Sequence, residues 1–500
     1  MNLRPVLYIF GVLLAALGGL MLLPALVDAI IAASPDDQIA EAARADRNAF
    51  LASALVSIFA GVSLALATRG ETFHMSARQG FLIITGAWVL LVAAAALPLA
   101  FGPMQMTYTD AAFEAMSGLT TTGATVVTGL DSAPKGFLLW RSLLQWIGGV
   151  GVVIMAIAVM PFLGVGGMQL FRLESSDRSE QLAPRASQIA SEIARIYLLF
   201  TAFCIVVYRA GGMDGFDAVA HAMTTISTGG FSTHDASFGY FADEAFPLDI
   251  AATLFMLAGG LPFGLYMLAS RGRWRAIGKD PQVPFFFTML VIVIALLTPL
   301  AAVSQASDWL SGARSALFNA TSIITGTGYA TADYGAWGPF AVALFFCLTF
   351  VGACAGSTTC GMKVFRFQIA IAAVRLYARR LTHPHAVSTA VYNDRPVSEE
   401  DFTSVLSFLF VYFAVFATLA AALGLLGLDA TTALSAAATS IANVGPGLGD
   451  IVGPAGNFQT LSDVPWKSDA AKWMLTMGML LGRLEFFTVL VLFTARFWRN

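Results

Sequence analysis

The sequence predicts an all-α polytopic membrane protein: four tandem repeats of helix, half-helix and helix, preceded by an N-terminal pair of transmembrane helices. Three observations predict it. Of 500 residues, 57% are hydrophobic and 12% are charged, about half the ~25% charge of an average soluble protein. The charges sit between long apolar runs. One pattern of residues also recurs four times around a glycine.

The apolar runs define the spans. Pro5–Val27, Leu51–Thr68, Gln79–Thr109, Ser142–Phe171, Ile196–Tyr208, Ile250–Ser270, Gln282–Ser307, Tyr334–Met362, Phe402–Leu428 and Trp473–Gly482 contain no Asp, Glu, Lys or Arg. A hydrocarbon core of ~30 Å needs about 20 apolar residues per helix. Val6–Val27 is too long for the apolar core of a signal peptide, so it reads as a retained first span. The net charge of −3 is uninformative by itself. Cys204, Cys347, Cys354 and Cys360 match no metal or redox spacing and read as inert helix residues.

Lys and Arg choose sides. One set of loops carries Arg69 and Arg78, then Arg172, Arg178, Arg185 and Arg195, then Arg271, Arg273, Arg275 and Lys279. The same set continues with Lys363, Arg366, Arg375, Arg379, Arg380 and Arg395; Arg4, Arg496 and Arg499 mark the termini. The alternate loops are poorer: Arg44 and Arg47, Lys135 and Arg141, Arg209, Arg314, Lys467 and Lys472. The positive-inside rule then places both termini in the cytoplasm, which demands an even number of spans, and ten fit.

The other side carries four segments too long for hairpins and too apolar for domains: Asp110–Thr128, Phe216–Thr233, Ala313–Thr331 and Thr431–Ile451. Each reads as a re-entrant half-helix ending in a loop rich in Thr, Gly or Asn. They align without gaps on Gly123, Gly230, Gly328 and Gly445. Eight residues earlier stands Ala115, Ala222, Ala320 or Ala437; six earlier a hydroxyl, Ser117, Thr224, Ser322 or Thr439; four earlier Leu119, Ile226, Ile324 or Ile441. Thirteen earlier stand Asp110, Asp217, Ser315 and Thr432, residues suited to cap a helix. The expected division is 1–70 for the N-terminal pair, then repeats over 71–175, 176–278, 279–398 and 399–500.

The loop chemistry points to ions. Thr120-Thr121-Thr122-Gly123, Ser227-Thr228-Gly229-Gly230, Thr325-Gly326-Thr327-Gly328 and Ala442-Asn443-Val444-Gly445 contain no Asp or Glu. Glycine permits positive φ, which turns successive carbonyls toward one axis. Four such loops would give rings of carbonyl oxygens able to replace a cation's hydration shell, each at the negative end of a half-helix dipole. The expected cation-binding filter residues are Thr121, Thr122, Gly123, Thr228, Gly229, Gly230, Gly326, Thr327, Gly328, Asn443, Val444 and Gly445. Gly148, inside a span, reads as a packing glycine whose replacement leaves ion preference unchanged. Glu114, His221 and Asn319 share one half-helix position, where the fourth repeat has Ala436. They either hold the half-helices or add negative potential at the mouth.

Two features lie inside the membrane. The run ending at Met362 includes Gly352-Ala353-Cys354-Ala355-Gly356-Ser357-Thr358-Thr359-Cys360-Gly361, too rich in Gly and β-branched Thr for a continuous helix. Broken backbone at membrane depth belongs where it is buried in protein or lines a cavity. Arg483 stands near the middle of the last span, Ala471–Phe497, where an arginine costs ~2.5–3.5 kcal/mol. Glu485, two residues on, does not share its helix face. Both need partners on other helices or in water.

The loops Thr-Thr-Thr-Gly-Ala-Thr at 120–125 and Asn-Val-Gly-Pro-Gly at 443–447 resemble those of the Trk/Ktr/HKT superfamily of potassium transporters, as do Gln145-Trp146-Ile147-Gly148-Gly149 and Gly352-Ala353-Cys354-Ala355-Gly356-Ser357-Thr358. The resemblance runs from about residue 80 to the C-terminus, and the extra N-terminal pair resembles the TrkH branch, not the shorter KtrB branch. It implies a single-chain pseudo-tetrameric pore similar to that of a potassium channel. It also implies a homodimer regulated by a TrkA-like cytosolic ring that binds nucleotides. Through it, Gly352, Gly356, Ser357, Thr358 and Gly361 become a movable intramembrane gate, and Arg483 a positive barrier beneath the filter. Lys363 either fixes that loop or faces the headgroups.

The expected function is potassium uptake across the plasma membrane, the bacterial inner membrane, with K+ as the transported ion. The partner would dock around Arg172–Arg185, Arg271–Lys279 and Arg366–Arg380. No catalytic constellation, resident cofactor, nucleotide site or nucleic-acid partner is expected in this chain. The Gly148–Gly151 and Gly164–Gly167 stretches sit in no strand–turn–helix unit. A secondary transporter with alternating access would show twofold, often inverted repeats, not four same-sense ones. A sodium-permeable member of the superfamily tends to carry Ser at the first anchor, where this chain has Gly123.

Overall fold

Most of the apolar stretches among the described residues fold as helices in the computed structural model, which describes residues 2–70, 76–155, 182–242, 246–383, 391–393, 395–449 and 452–499. Expectations placed on Gly164–Gly167, Arg172 and Arg178 lie outside these residues. The strands among the described residues form one two-residue hairpin, Val391–Tyr392 against Arg395–Pro396.

The N-terminal pair consists of Arg4–Ile31, interrupted at Met21, and Asp37–Thr68. They pack on small residues. A Cβ on Gly11 would overlap the backbone at Gly61 and Ala65, and one on Gly61 the backbone at Gly11 and Ala15. Close backbone approach of this kind drives helix association where the surrounding lipid offers no hydrophobic gain.

Each repeat then supplies a span, a half-helix and a second span. The half-helices are Tyr108–Leu119, Gly215–Ile226, Trp309–Ile324 and Ala430–Ala442. The helices before them are Ala77–Phe101, Leu182–Ala210, Gln282–Ser304 and Glu399–Leu425. Ala115, Ala222, Ala320 and Ala437 are fully buried, which explains the recurring alanine: the half-helices are packed in on every side.

The second helices depart from expectation. Among the described residues seven helices are long and apolar enough to cross a membrane, or nine if two bent pairs each count as one span. Leu248–Gly260 turns by 91° into Phe263–Ser270, at Pro262, and Pro465–Arg483 turns by 105° into Phe487–Phe493. The expected eighth span, Tyr334–Met362, is instead the short helix Pro339–Thr349 and a non-helical loop that leads into a further helix, Val364–Thr382. The break in the third repeat was legible from its glycines. The last break has neither Gly nor Pro: Glu485 and Phe486 adopt positive φ of 58° and 51°, closing a tight turn from the Phe487 N–H to the Glu485 carbonyl at 2.5 Å.

Candidate functional site: a ring of four glycine loops

Each half-helix starts on a side-chain cap and ends in the same backbone motif. The caps are Thr107, Asp214, Asp308 and Asp429. They are not Asp110, Asp217, Ser315 and Thr432, as the sequence suggested. In the first, second and fourth repeats the expected residue lies three positions inside the helix, and its N–H donates to the true cap. Freed from capping, Asp110 pairs with Lys472 at 2.5 Å, and Asp217 accepts the Thr233 hydroxyl at 2.7 Å.

At the other end, the N–H of Thr122, Gly229, Thr327 and Val444 donates to the carbonyl five residues back, that of Ser117, Thr224, Ser322 and Thr439, at 2.8–3.1 Å. The N–H of Thr121, Thr228, Gly326 and Asn443 donates three back, at 2.9–3.3 Å. This is the Schellman arrangement, whose C′ residue is left-handed. Thr121, Thr228, Gly326 and Asn443 have φ of 54°, 50°, 67° and 51°. Two residues on, the anchors Gly123, Gly230, Gly328 and Gly445 are left-handed again, at 84°, 80°, 83° and 98°, while the residue between is not. Alternation of this kind turns successive carbonyls to one side of the chain. For a threonine the left-handed conformation costs ~1–2 kcal/mol, and such strain concentrates at functional sites.

The four loops close on one another. A Cβ at Gly123 would overlap the Gly229 carbonyl oxygen, at Gly230 that of Thr327, at Gly328 that of Val444, and at Gly445 that of Thr122. Each anchor thus touches the carbonyl that precedes the next anchor, and the fourth returns to the first. The twelve residues expected at this site therefore lie in one ring. Asn443 stitches it further, donating from Nδ2 to the Thr122 hydroxyl at 2.9 Å and to the Met479 carbonyl at 3.0 Å.

Behind the ring runs a set of struts. The Glu114 carboxylate accepts from the Val126 N–H at 2.9 Å and the Thr125 hydroxyl at 2.9 Å. His221 Nε2 meets the Ser232 hydroxyl at 3.0 Å. Asn319 exchanges two hydrogen bonds with Thr331, at 2.9 and 3.2 Å. In the fourth repeat Ser435, one residue before Ala436, bonds Leu448 through both its N–H and its carbonyl, at 3.1 and 3.0 Å. So the chain two or three residues beyond each anchor is held from the half-helix, by the shared position in three repeats and by its neighbour Ser435 in the fourth. Gly148 also needs correction. A Cβ there would overlap the Leu119 carbonyl at the end of the first half-helix, and Gly482 stands in the same relation to Ile441. Replacing Gly148 would therefore displace the ring.

On one side of the ring lies the segment 350–363, buried and non-helical. It is bound to the second repeat by Cys354 and Thr358 N–H to the carbonyls of Gly260 and Gly259, both at 3.2 Å, and by Phe263 N–H to Gly356 at 2.8 Å. It touches the loops directly: Thr358 Oγ1 lies 3.1 Å from Thr228 Oγ1, and Cys360 Sγ lies 3.8 Å from Thr121 Oγ1. Arg483 donates to the carbonyls of Thr358 at 3.5 Å and Gly148 at 3.3 Å, and to Cys360 Sγ. Lys363 is buried and turns back on Thr359, bonding its carbonyl and, at 3.0 Å, its hydroxyl. Of the two readings of Lys363, it therefore fixes the loop. Glu485 pairs with Arg366. Arg366, expected in a basic loop, is fully buried, with its guanidinium 3.6 Å from the Phe408 ring centre. A cavity of about 30 Å³ lies among Ser357, Cys360, Lys363, Arg366, Arg483 and Glu485, room for little more than a water molecule. Cys354 and Cys360 belong to this loop and are not helix residues; all four cysteines are free.

On the opposite side a cavity of about 200 Å³ opens among Gly123, Thr125, Arg141, Gly230, Ser232, His234, Asp235 and Asn457. His234 stacks on Tyr240 and bridges two carboxylates, Asp131 at 2.6 Å and Asp217 at 3.1 Å. Partial burial works to lower its pKa, but those two hydrogen bonds outweigh it and raise the pKa above the usual histidine value. Nothing in the local sequence marks this clasp, because its members come from two different repeats.

The family model described as TrkH, cation transport protein, matches residues 46–500. The match begins earlier than the residue 80 from which the loop resemblance ran. The Trk system potassium uptake protein TrkI of Halomonas elongata is 44% identical over 99% of this chain and 97% of its own. The Trk system potassium uptake protein TrkH of Escherichia coli K12 is 37% identical over the whole of both chains. The crystal structure of the potassium transporter TrkH from Vibrio parahaemolyticus superposes with a TM-score of 0.88 at 35% identity, covering all of each chain.

Proposed function

The chain belongs to the TrkH family of cation transport proteins, and from that premise we propose that it takes up potassium through the four-loop ring, which acts as its selectivity filter. The family is one of transporters and not of enzymes. One observation carries the reading. Each anchor glycine touches the carbonyl before the next anchor, in a closed cycle of four. A dehydrated cation on the axis would meet carbonyls at the levels of Thr122, Gly229, Thr327 and Val444, with those of the left-handed residues Thr121, Thr228, Gly326 and Asn443 adjacent. Four half-helices would present their C-terminal ends, each about half a negative charge, to the same ion. Carbonyl dipoles without carboxylates favour an ion that sheds water readily.

The intramembrane segment would be the gate. Gly352, Gly356, Ser357, Thr358 and Gly361 give it a non-helical backbone, Lys363 ties it to its own carbonyl, and Arg483 pins it beneath the loops. Movement would begin on the side where Arg271, Arg273, Arg275, Arg375, Arg379 and Arg380 are exposed. A TrkA-like nucleotide-binding ring would dock there, on a homodimer in the bacterial inner membrane with both termini cytoplasmic.

Uptake of radioactive rubidium into liposomes, with K+, Na+ and Cs+ as competitors, tests the function. K+ should compete far more strongly than Na+. Equal competition by Na+ would favour the sodium-permeable alternative.

A further inference from the structure

The four struts behind the filter are chemically unequal. Those of His221, Asn319 and Ser435 are hydrogen bonds made within their own repeat, whereas that of Glu114 is part of a buried ion pair. Arg141 Nε lies 2.7 Å from Glu114 Oε1, with the two side chains 2% and 0% exposed. The guanidinium spends its other nitrogens elsewhere. Nη2 donates to the Thr125 hydroxyl at 3.3 Å, in the first repeat, and Nη1 to the Ser232 carbonyl at 2.8 Å, in the second. Its plane stands 4.1 Å from the ring centre of Phe231, the residue directly after Gly230. One helical turn further along the same helix, Gln145 donates to the Gly229 carbonyl at 2.6 Å and accepts from the Phe231 N–H at 3.0 Å. Two adjacent turns of Lys135–Ile154 thus hold the filter of the following repeat as well as their own.

We propose that the buried Glu114–Arg141 pair is a specificity-determining brace: it fixes the exits of the first and second filter loops against each other, and with them the preference for K+ over Na+. The proposal rests on the filter reading above. Stability alone is a poor reason for such a pair, since desolvating two charges offsets most of what their attraction contributes. Geometry is a better one. Guanidinium is a rigid planar fork, so its three bonds set the distance between Thr125 and Ser232, two residues beyond Gly123 and Gly230 respectively. A carbonyl ring discriminates between cations of different radius only while its oxygens are held at a fixed spacing. Glu114 and Arg141 act on the ion through the loops and are positioning residues.

The test compares variants of the full chain in liposomes, reading the ratio of K+ to Na+ concentrations that half-inhibit rubidium uptake, together with the yield and melting temperature. Arg141→Met alone strands a buried carboxylate and should fold poorly. Glu114→Gln with Arg141→Met removes both charges and should recover the yield, yet Na+ should compete about tenfold better, the effect of about one charge-assisted hydrogen bond. Arg141→Lys keeps the charge but not the fork, and should shift the ratio by a smaller factor. A folded double variant with wild-type preference overturns the brace and leaves the pair structural. If the double variant does not fold, wild-type preference in Arg141→Lys overturns it equally. Gly230→Ala serves as the reference: if it too keeps wild-type preference, the filter reading itself has failed, whereas loss of preference there alone rejects the brace and spares the filter.

Discussion

Arg483→Ala should raise basal potassium flux per folded molecule about tenfold or more. The residue is buried beneath the ring and donates to Thr358, Cys360 and Gly148. A positive charge ~4 Å from a cation repels it by about 4 kcal/mol at an effective dielectric constant of ~20. Each ~1.4 kcal/mol relieved is worth about a factor of ten in rate. The alanine variant loses both the charge and the ties that hold segment 350–363 under the filter, so the two effects add. Arg483→Lys keeps the charge while losing the fork, and should retain much of the block. Flux measured across a series of K+ concentrations separates these readings. If Arg483 is merely an anchor, both substitutions lower the yield of folded protein and alanine does not increase flux in what survives.

Gly230→Ala and Gly328→Ala should each abolish most of the preference for K+ over Na+. Both residues are left-handed, at 80° and 83°, where a Cβ costs ~1–2 kcal/mol. The second effect is larger. The Cβ would occupy the place of the Thr327 carbonyl oxygen in one case and of the Val444 carbonyl oxygen in the other, so the neighbouring loop must move its coordinating group. Gly151→Ala is the control: it lies on a regular helix with open space where its Cβ would go, and should leave the preference unchanged. Competition of Na+ and K+ for rubidium uptake measures all three.

How much of this was legible follows from which residue types leave no choice. The anchor glycines were readable because two constraints coincide at each, a positive φ and a carbonyl where Cβ would be, and glycine alone meets both. Unbroken apolar runs located seven of the spans, but not the bends that break the second helices of the second and fourth repeats. Thr121, Thr228 and Asn443 could be placed at the site by alignment, but their left-handed backbone could not be read, since threonine disfavours it and the half-helix end imposes it. In three repeats the sequence points to the residue that donates to the cap and not to the cap itself, because the two have similar chemistry and sit one turn apart; in the third the cap, Asp308, lies two turns before Ser315. By position in the sequence, Arg141, Arg366 and Lys472 read as loop charges. The structure buries them against Glu114, Glu485 and Asp110, and the partners lie 27, 119 and 362 residues away along the chain. Pairing over those separations is set by how the helices pack, within one repeat for Glu114 and between repeats for the other two. Local spacing carries no trace of it.

Cation occupancy on the axis tests the central claim most directly. Crystals grown with Rb+ in place of K+ give an anomalous signal from the bound ion. The account predicts peaks on the axis of the four loops, coordinated by backbone carbonyls at the level of Thr122, Gly229, Thr327 and Val444. A ring free of rubidium, with the ion held instead by carboxylates at the mouth such as Asp131, Asp217 or Asp235, would contradict it.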